Sequence, residues 1–167
     1  INATRNPGSS QSAFQLWASA PQTHGLAIAE GSYWFWDRYR YGVSVKADTL
    51  PATPGLVFCY LDSRNYHLLR WSQPNRGDAG TLELILVRDG RPTVLASRDL
   101  ALQPAQWYRL TVRVGEGGVT AFVNGDRVFE VRDSASVGGR IGLTVSMSET
   151  VYFDDITVRS MQASDHG

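Results

Sequence analysis

The fold of this chain is decided by residues Gly55 to Trp71, GLVFCYLDSRNYHLLRW. Two apolar, aromatic-rich runs, GLVFCYL and YHLLRW, flank a short polar segment that begins at Asp62 and ends at Asn65. Runs of Val, Phe, Tyr and Leu on either side of such a segment are typical of two antiparallel strands joined by a tight turn. The sequence therefore predicts a β-hairpin here.

The second strand of this hairpin has two faces of different character, because side chains alternate along a strand. One face carries Tyr66, Leu68 and Arg70, and the other carries His67, Leu69 and Trp71. The face with Leu69 and Trp71 is the more apolar and is predicted to face the core. Tyr66 and Arg70 are then predicted to lie on the open face of the sheet, with Tyr60 of the first strand as a further candidate on that surface.

Turn signals recur at short intervals through the rest of the chain. Asp89-Gly90 and Asn124-Gly125 are two-residue hairpin signals, and residues 106–114, QWYRLTVRV, alternate between apolar and polar. No segment shows a sustained helical period. About ten short strands at this spacing predict an all-β, two-sheet antiparallel β-sandwich or a barrel. We expect residues 1–11 to form a flexible lead-in, residues 12–160 a single domain, and residues 161–167 a polar tail.

Composition limits the function classes. Lys and Arg number 16, as do Asp and Glu, so the formal net charge is zero, which disfavours a nucleic-acid binder. No apolar run reaches the ~18 residues of a membrane span, and the single cysteine, Cys59, excludes an internal disulfide. Because the chain begins at Ile1 and ends in a polar tail, we expect a processed or excised piece of a larger extracellular or cell-envelope protein.

Four segments in order form a series that resembles a known superfamily. They are GLVFCYLDSRNYHLLRW, WYRLTVRVGEGGVTAFVNGDRVFEV, GGRIGLTVS and VYFDDITVRS. The series resembles the concanavalin A-like jelly-roll superfamily, in the branch that includes laminin G-like modules and the domain named for 3-keto-disaccharide hydrolases. The resemblance implies two antiparallel sheets, a concave face whose rim commonly binds sugars, and a structural calcium ion in many members.

Asp154 and Asp155 are the candidate metal ligands. In VYFDDITV, the apolar residues Phe153 and Ile156 have opposite parity, so simple alternation fails at the acidic pair and a β-bulge is expected there. The resemblance implies that a late Asp, with Asp155 preferred, joins backbone carbonyls to hold calcium, a cation that takes oxygen ligands. The alternative is a strand-end pair that bonds to backbone amides or to an arginine.

Candidate ligand-binding residues come from two places. In the cluster YWFWDRYRYG, the run becomes polar at Trp36, Arg38 and Tyr39, which are the candidates for a loop at the rim of the sheet. Tyr60, Tyr66 and Arg70 are the candidates on the sheet face. Exposed aromatic rings stack on sugar rings while polar side chains reach the hydroxyl groups. The same residue types also dominate protein–protein interfaces.

The pattern of acidic residues does not favour catalysis. Glycosidases place two carboxylates across the scissile bond, whereas Glu83 is the only glutamate in the middle of a clear strand and has no acidic residue two positions away. We therefore expect a non-catalytic, carbohydrate-binding module whose partner is a glycan. The first alternative is a structural or interaction module that packs on a partner chain or sister domain, and the second is a glycoside-type hydrolase.

Overall fold

A computed structural model of the chain describes residues 5–6, 13–17, 24–28, 38–115, 117–132, 139–146 and 150–161. Every regular element within these ranges is a β-strand. In the same ranges there is no helix long and apolar enough to cross a membrane. The predicted candidate Trp36 lies outside the described residues.

The described strands form two antiparallel sheets. The strands are β1 (Arg5–Asn6), β2 (Ala13–Trp17), β3 (His24–Ile28), β4 (Tyr39–Ala47), β5 (Gly55–Asp62), β6 (Asn65–Ser72), β7 (Thr81–Arg88), β8 (Arg91–Asp99), β9 (Tyr108–Gly115), β10 (Gly118–Val123), β11 (Asp126–Arg132), β12 (Arg140–Ser146) and β13 (Thr150–Ser160). A seven-stranded sheet has the order β1-β2-β13-β4-β9-β10-β11, and a six-stranded sheet has the order β3-β12-β5-β6-β7-β8. The predicted all-β, two-sheet antiparallel architecture is confirmed.

The predicted hairpin at Asp62 to Asn65 is also confirmed. β5 and β6 pair antiparallel around it, and the carboxylate of Asp62 holds the turn. Its Oδ1 accepts hydrogen bonds from the backbone N–H of Arg64 at 2.8 Å and from Nδ2 of Asn65 at 2.9 Å. Both bonds lower the pKa of Asp62, because they favour its charged form. The bond from the Arg64 amide has the larger effect.

The main core lies between the two sheets and follows the alternation of their strands. Alternate residues of β4 and β9 point inward from one sheet, and Leu69 and Trp71 of β6 point inward from the other. Trp71 is 0% exposed, packs edge-on against Tyr108 with ring centroids 4.8 Å apart, and donates from Nε1 to the carbonyl of Leu100 at 2.8 Å. The prediction that Leu69 and Trp71 face the core is confirmed.

Two buried tyrosines of β4 connect the sheets through their hydroxyl groups. Tyr41 donates to the carbonyl of Gly142 in β12 at 2.8 Å, and the hydroxyl of Tyr39 accepts the backbone N–H of Cys59 in β5 at 3.0 Å. Cys59 has a φ of 48° and lies where the β5–β6 register shifts, so Tyr39 satisfies an amide inside that irregular segment. Burial raises the pKa of both tyrosines, so both hydroxyls stay protonated at neutral pH.

Candidate functional site

The six-stranded sheet carries a groove on its outer face, the face turned away from the main core. The groove has a volume of about 410 Å³ and is lined by side chains from five strands together with Thr53 and Gly90. The lining includes Val57 of β5, Tyr66 and Arg70 of β6, Ile85 of β7 and Thr144 of β12. Leu56 and Phe58 of β5 face the main core, so Val57 between them points outward into the groove.

An apolar row forms one part of the groove floor. Cross-strand pairing places Val57, Leu68, Ile85 and Val94 side by side on four neighbouring strands. Val57, Leu68 and Ile85 belong to a buried apolar cluster separate from the main core, against which Tyr60 and Tyr66 pack. The sheet therefore has apolar side chains on both of its faces. On the outer face Val57, Leu68 and Ile85 are buried, and Val94, which is 51% exposed, is the member of the row that a ligand can contact.

A second row runs parallel to it, two residues away on β5, β6 and β7 and three residues away on β8, where the register shifts. The register places Thr144, Gly55, Arg70, Glu83 and Ser97 in line on neighbouring strands. Arg70 Nη2 donates to Glu83 Oε1 at 3.1 Å, with the two side chains 35% and 19% exposed. Arg70 lines the groove, and a fixed acceptor, Glu83, therefore lies next to it on β7.

Gly55 lets its neighbours pack directly on the sheet backbone. A Cβ atom at this position would lie 2.8 Å from Thr144 Cγ2 and 2.9 Å from Leu68 Cδ1, closer than real Cβ contacts. The methyl groups of Thr144 and Leu68 therefore occupy the space that a side chain at position 55 would fill.

Arg70 has hydrogen-bonding capacity that the described residues do not use. Its Nε is buried and has no hydrogen-bond partner in the described part of the chain. A buried donor without an acceptor costs free energy. The Arg70 side chain is 35% exposed, so the donors available to a ligand are the exposed N–H groups of the guanidinium group that Glu83 does not use.

Tyr66 and Tyr60 form an aromatic wall beside the floor. Their ring centroids lie 5.8 Å apart with an interplanar angle of 33°, and both side chains are partly exposed. Tyr66 lines the groove itself, whereas Tyr60 supports the Tyr66 ring from the side. Burial raises the pKa of Tyr66, so its hydroxyl is protonated and available as a donor at neutral pH.

The fold has counterparts among solved structures, although no protein-family model matches the sequence and no curated protein sequence matches it. A carbohydrate-binding module, CBM66, from Bacillus subtilis superposes with a TM-score of 0.75 at 15% identity, over 95% of this chain and 91% of that chain. A Bacillus subtilis protein of unknown function with a galectin-like fold superposes with a TM-score of 0.72 at 15% identity, over 95% and 86% of the two chains. The chain has the concanavalin A-like jelly-roll fold.

The same jelly roll also occurs as part of a longer protein. A GH43 protein from Bacillus licheniformis superposes with a TM-score of 0.68 at 11% identity, over 91% of this chain but only 34% of that chain. This chain thus spans about a third of the length of that protein. Identities this low show a shared fold and do not carry a ligand from one chain to another.

The jelly roll brings together some of the predicted ligand-binding residues and separates others. Tyr66 and Arg70 line the groove and Tyr60 lies beside it. Arg38 precedes β4 of the other sheet and does not line the groove. Tyr39 needs a correction, because its side chain is 0% exposed and has no surface to offer a ligand. Tyr39, Tyr41 and Val43 are alternate residues of one strand, so their side chains point to the same, inward face. This alternation is visible in the sequence.

Sequence reasoning missed the way the groove is assembled across strands. The sequence identifies Glu83 only as a lone glutamate in a strand, and it gives no reason to select Thr144 as a candidate. Both join Arg70 in one row because of the strand register, and Thr144 is far from Arg70 along the chain. Residue types alone therefore gave no signal for Thr144.

The acidic pair in β13 lies at the expected bulge. The register with β4 shifts between Asp154 and Thr157, and Asp155 has a φ of 49°. Asp154 is buried and its Oδ1 accepts the backbone N–H of Asp155 at 2.7 Å, while Arg109 donates to the backbone carbonyl of Asp155. The bond from the Asp155 amide to the Asp154 carboxylate is of the kind expected in the alternative, whereas the arginine bonds a backbone carbonyl and not a carboxylate.

The predicted calcium site combines one of these carboxylates with backbone carbonyl groups. No group of three or more His, Cys, Asp or Glu side chains able to hold a metal occurs among the described residues, and the Arg109 guanidinium contributes a positive charge at the Asp155 carbonyl. A structural calcium ion remains a prediction from the resemblance.

If calcium is bound, a chelator is expected to lower the melting temperature and added calcium to restore it. An unchanged melting temperature would contradict the prediction of a structural calcium ion.

Proposed function

We propose that this chain is a non-catalytic carbohydrate-binding module whose groove holds a glycan. The observation that carries the proposal is the combination of an aromatic wall, Tyr66 with Tyr60, and the Arg70–Glu83 pair on one open sheet face. The fold likeness to a protein described as a carbohydrate-binding module supports it.

The groove offers what a sugar ring requires on each of its sides. A pyranose or furanose ring presents apolar C–H groups, which pack well on the exposed part of the Tyr66 ring. Its hydroxyl groups are both donors and acceptors, so adjacent hydroxyls match the donor Arg70 and the acceptor Glu83. Thr144 on the far side of Gly55 supplies a further hydroxyl to the groove.

The environment of Glu83 supports binding rather than hydrolysis. A glycosidase acid must be protonated and stand across the bond from a second carboxylate. Glu83 instead forms an ion pair with Arg70, and its cross-strand neighbours are Arg70 and Ser97, neither of which is a second carboxylate. We propose that the chain acts as an accessory module of a larger extracytoplasmic protein, for which the partial match to the longer GH43 protein provides support.

The second candidate function is a protein-interaction module. Val94 at the groove and Leu61 near the β5–β6 turn are 51% and 46% exposed, and exposed apolar side chains beside tyrosine and arginine are typical of interfaces. Co-purification of a partner chain that covers the groove, without any glycan binding, would favour this function.

A glycan panel with the wild-type chain and with Tyr66→Ala tests the proposed function. We expect the wild type to bind a subset of neutral glycans and the variant to bind them about tenfold or more weakly, because the stacking surface is lost. Tyr152→Ala is the matched control, since Tyr152 lies on the seven-stranded sheet next to Lys46, and it is expected to leave binding unchanged.

A second variant separates stacking from support of the apolar cluster. Tyr66→Leu keeps apolar cover over the cluster of Val57, Leu68, Ile85 and Val87 but lacks a flat ring. We expect it to keep the wild-type melting temperature within a few degrees and still to lose glycan binding. Full glycan binding by Tyr66→Leu, or no binding of any glycan by the wild type, would contradict the proposed site.

A further inference from the structure

A row of arginines crosses the outer face of the seven-stranded sheet, the sheet that does not carry the groove. Arg159 of β13 lies directly opposite Arg40 of β4, and Arg40 lies directly opposite Arg113 of β9. We call these three residues the arginine row. Directly opposed side chains have Cβ atoms about 4.5–5.5 Å apart, and like charges at that distance destabilise a sheet. Three arginines in cross-strand register depart from the usual pairing of opposite charges, and departures of this kind are expected at functional sites.

The ring of Phe122 holds two guanidinium groups of this row in place. Arg40 Cζ lies 5.3 Å and Arg113 Cζ lies 5.8 Å from the centroid of the ring. A guanidinium group stacked on an aromatic ring keeps its N–H donors in its own plane, where they match a carboxylate or sulfate group. Arg40 and Arg159 are exposed. Arg40 and Arg159 therefore present anion donors at the surface, and the Phe122 ring preorganises that of Arg40.

Arg109 is a further arginine on the same face, outside the arginine row. It lies opposite Ser44 and donates to Thr157 Oγ1 at 2.7 Å and to the backbone carbonyl of Asp155. The Asp155 carboxylate lies beside it, because Ser44 Oγ is 3.4 Å from both Arg109 Nη1 and Asp155 Oδ2, so Arg109 adds little to the net positive charge of this face.

Two carboxylates on this side pair with cations outside the arginine row. Asp48 lies 3.6 Å from Lys46, and Glu130 lies 2.9 Å from Arg127. The exposed carboxylate of Asp155 receives the Ser44 hydroxyl at 3.4 Å, beside Arg109. Across its three strands, the arginine row itself has only arginines in cross-strand register.

We propose that the arginine row binds an acidic polysaccharide, a polymer that repeats a carboxylate or sulfate group along its chain. Neighbouring strands lie about 4.8 Å apart, so the row presents guanidinium groups in a regular line, which suits regularly repeated anions. An acidic protein surface spaces its carboxylates irregularly and therefore matches a regular line of guanidinium groups less well. This site is independent of the groove and lies on the other sheet.

The test measures binding of polygalacturonate and chondroitin sulfate, with a neutral glucan for comparison. The variant Arg40→Gln/Arg159→Gln removes two charges from the row and leaves Phe122 and Arg113 in place. Arg76→Gln/Arg98→Gln removes the same charge from exposed positions in the 73–80 loop and in β8. We expect the row variant to bind the acidic polysaccharides about tenfold or more weakly, the control to bind like the wild type, and wild-type binding to fall as salt approaches ~1 M.

Several results would overturn this inference. One is equal loss of binding in both double variants, since a pure net-charge effect needs no defined site. Others are no binding of acidic polysaccharides by the wild type, or row-dependent binding to vesicles of anionic lipid in its place. Because the row variant relieves repulsion between arginines, its melting temperature is expected to equal or exceed that of the wild type. A melting temperature in that range shows that unfolding does not cause the loss of binding. The groove variant Arg70→Met should retain binding of acidic polysaccharides, so failure of the groove and failure of the row are distinguishable.

Discussion

Replacing Trp71 with alanine is expected to lower the free energy of unfolding by about 3–5 kcal/mol, the range for truncating a large buried aromatic side chain. Trp71 is one of the largest fully buried side chains of the core, in contact with Tyr108. The variant leaves a cavity and also leaves the carbonyl of Leu100 without the indole donor. Urea denaturation followed by circular dichroism measures the loss.

Trp71→Phe divides this loss into its two parts. Phenylalanine refills most of the cavity but has no N–H group, so we expect it to cost about 1–3 kcal/mol, mainly for the unpaired carbonyl. Trp107→Ala is the matched control, because Trp107 is only partly buried beside Lys46, and a smaller loss is expected. Equal stability losses for Trp71→Ala and Trp107→Ala would contradict the core position of Trp71.

Local patterns in the sequence were sufficient to predict the hairpin and its core face. The polar segment at Asp62 has apolar runs on both sides, and alternation then separates Trp71 from Arg70 by one position. The bulge at Asp154 and Asp155 was also predictable, because a break in parity is visible in a single strand. Features that depend on one strand at a time are therefore available from the sequence.

Features that depend on the pairing of several strands could not be predicted from the sequence. The groove combines residues of five strands, among them Thr144 of β12 and Arg70 of β6, which the strand register brings to the two sides of Gly55. The register between β12 and β5 has no local signature. Tyr39 shows a different kind of error. It was placed with the polar part of its cluster, but its parity relative to Val43 puts it in the core, where its hydroxyl has the Cys59 amide as a partner.

The two outer faces of the sandwich present arginine in different electrostatic states. In the groove, Arg70 is balanced by Glu83, so a neutral ligand meets no net charge at the floor. On the other sheet, Arg40 has an arginine on each side. We therefore expect the two faces to select ligands of different charge, and the salt dependence of binding to separate them.

Arg70→Met is expected to weaken binding of a neutral glycan by about 10- to 100-fold, the effect of losing hydrogen bonds from a charged donor. Methionine keeps an unbranched apolar stem over the sheet but offers no N–H group. The expected loss of stability is smaller, about 1 kcal/mol or less, because cross-strand ion pairs of partly exposed side chains contribute little. Isothermal titration calorimetry measures affinity, and urea denaturation of the same samples measures stability.

A double-mutant cycle with Glu83→Gln decides whether the pair acts on the ligand as a unit. If Glu83 both orients Arg70 and accepts a sugar hydroxyl, the double variant loses less affinity than the sum of the two single losses. Arg98→Met is the control, since Arg98 is exposed on β8 and does not line the groove. Unchanged affinity in Arg70→Met together with a large loss of stability would show that the pair only fixes the register of β6 and β7. Turnover of an activated glycoside that Glu83→Gln abolishes would instead establish a hydrolase, because a binding site alone cleaves no bond.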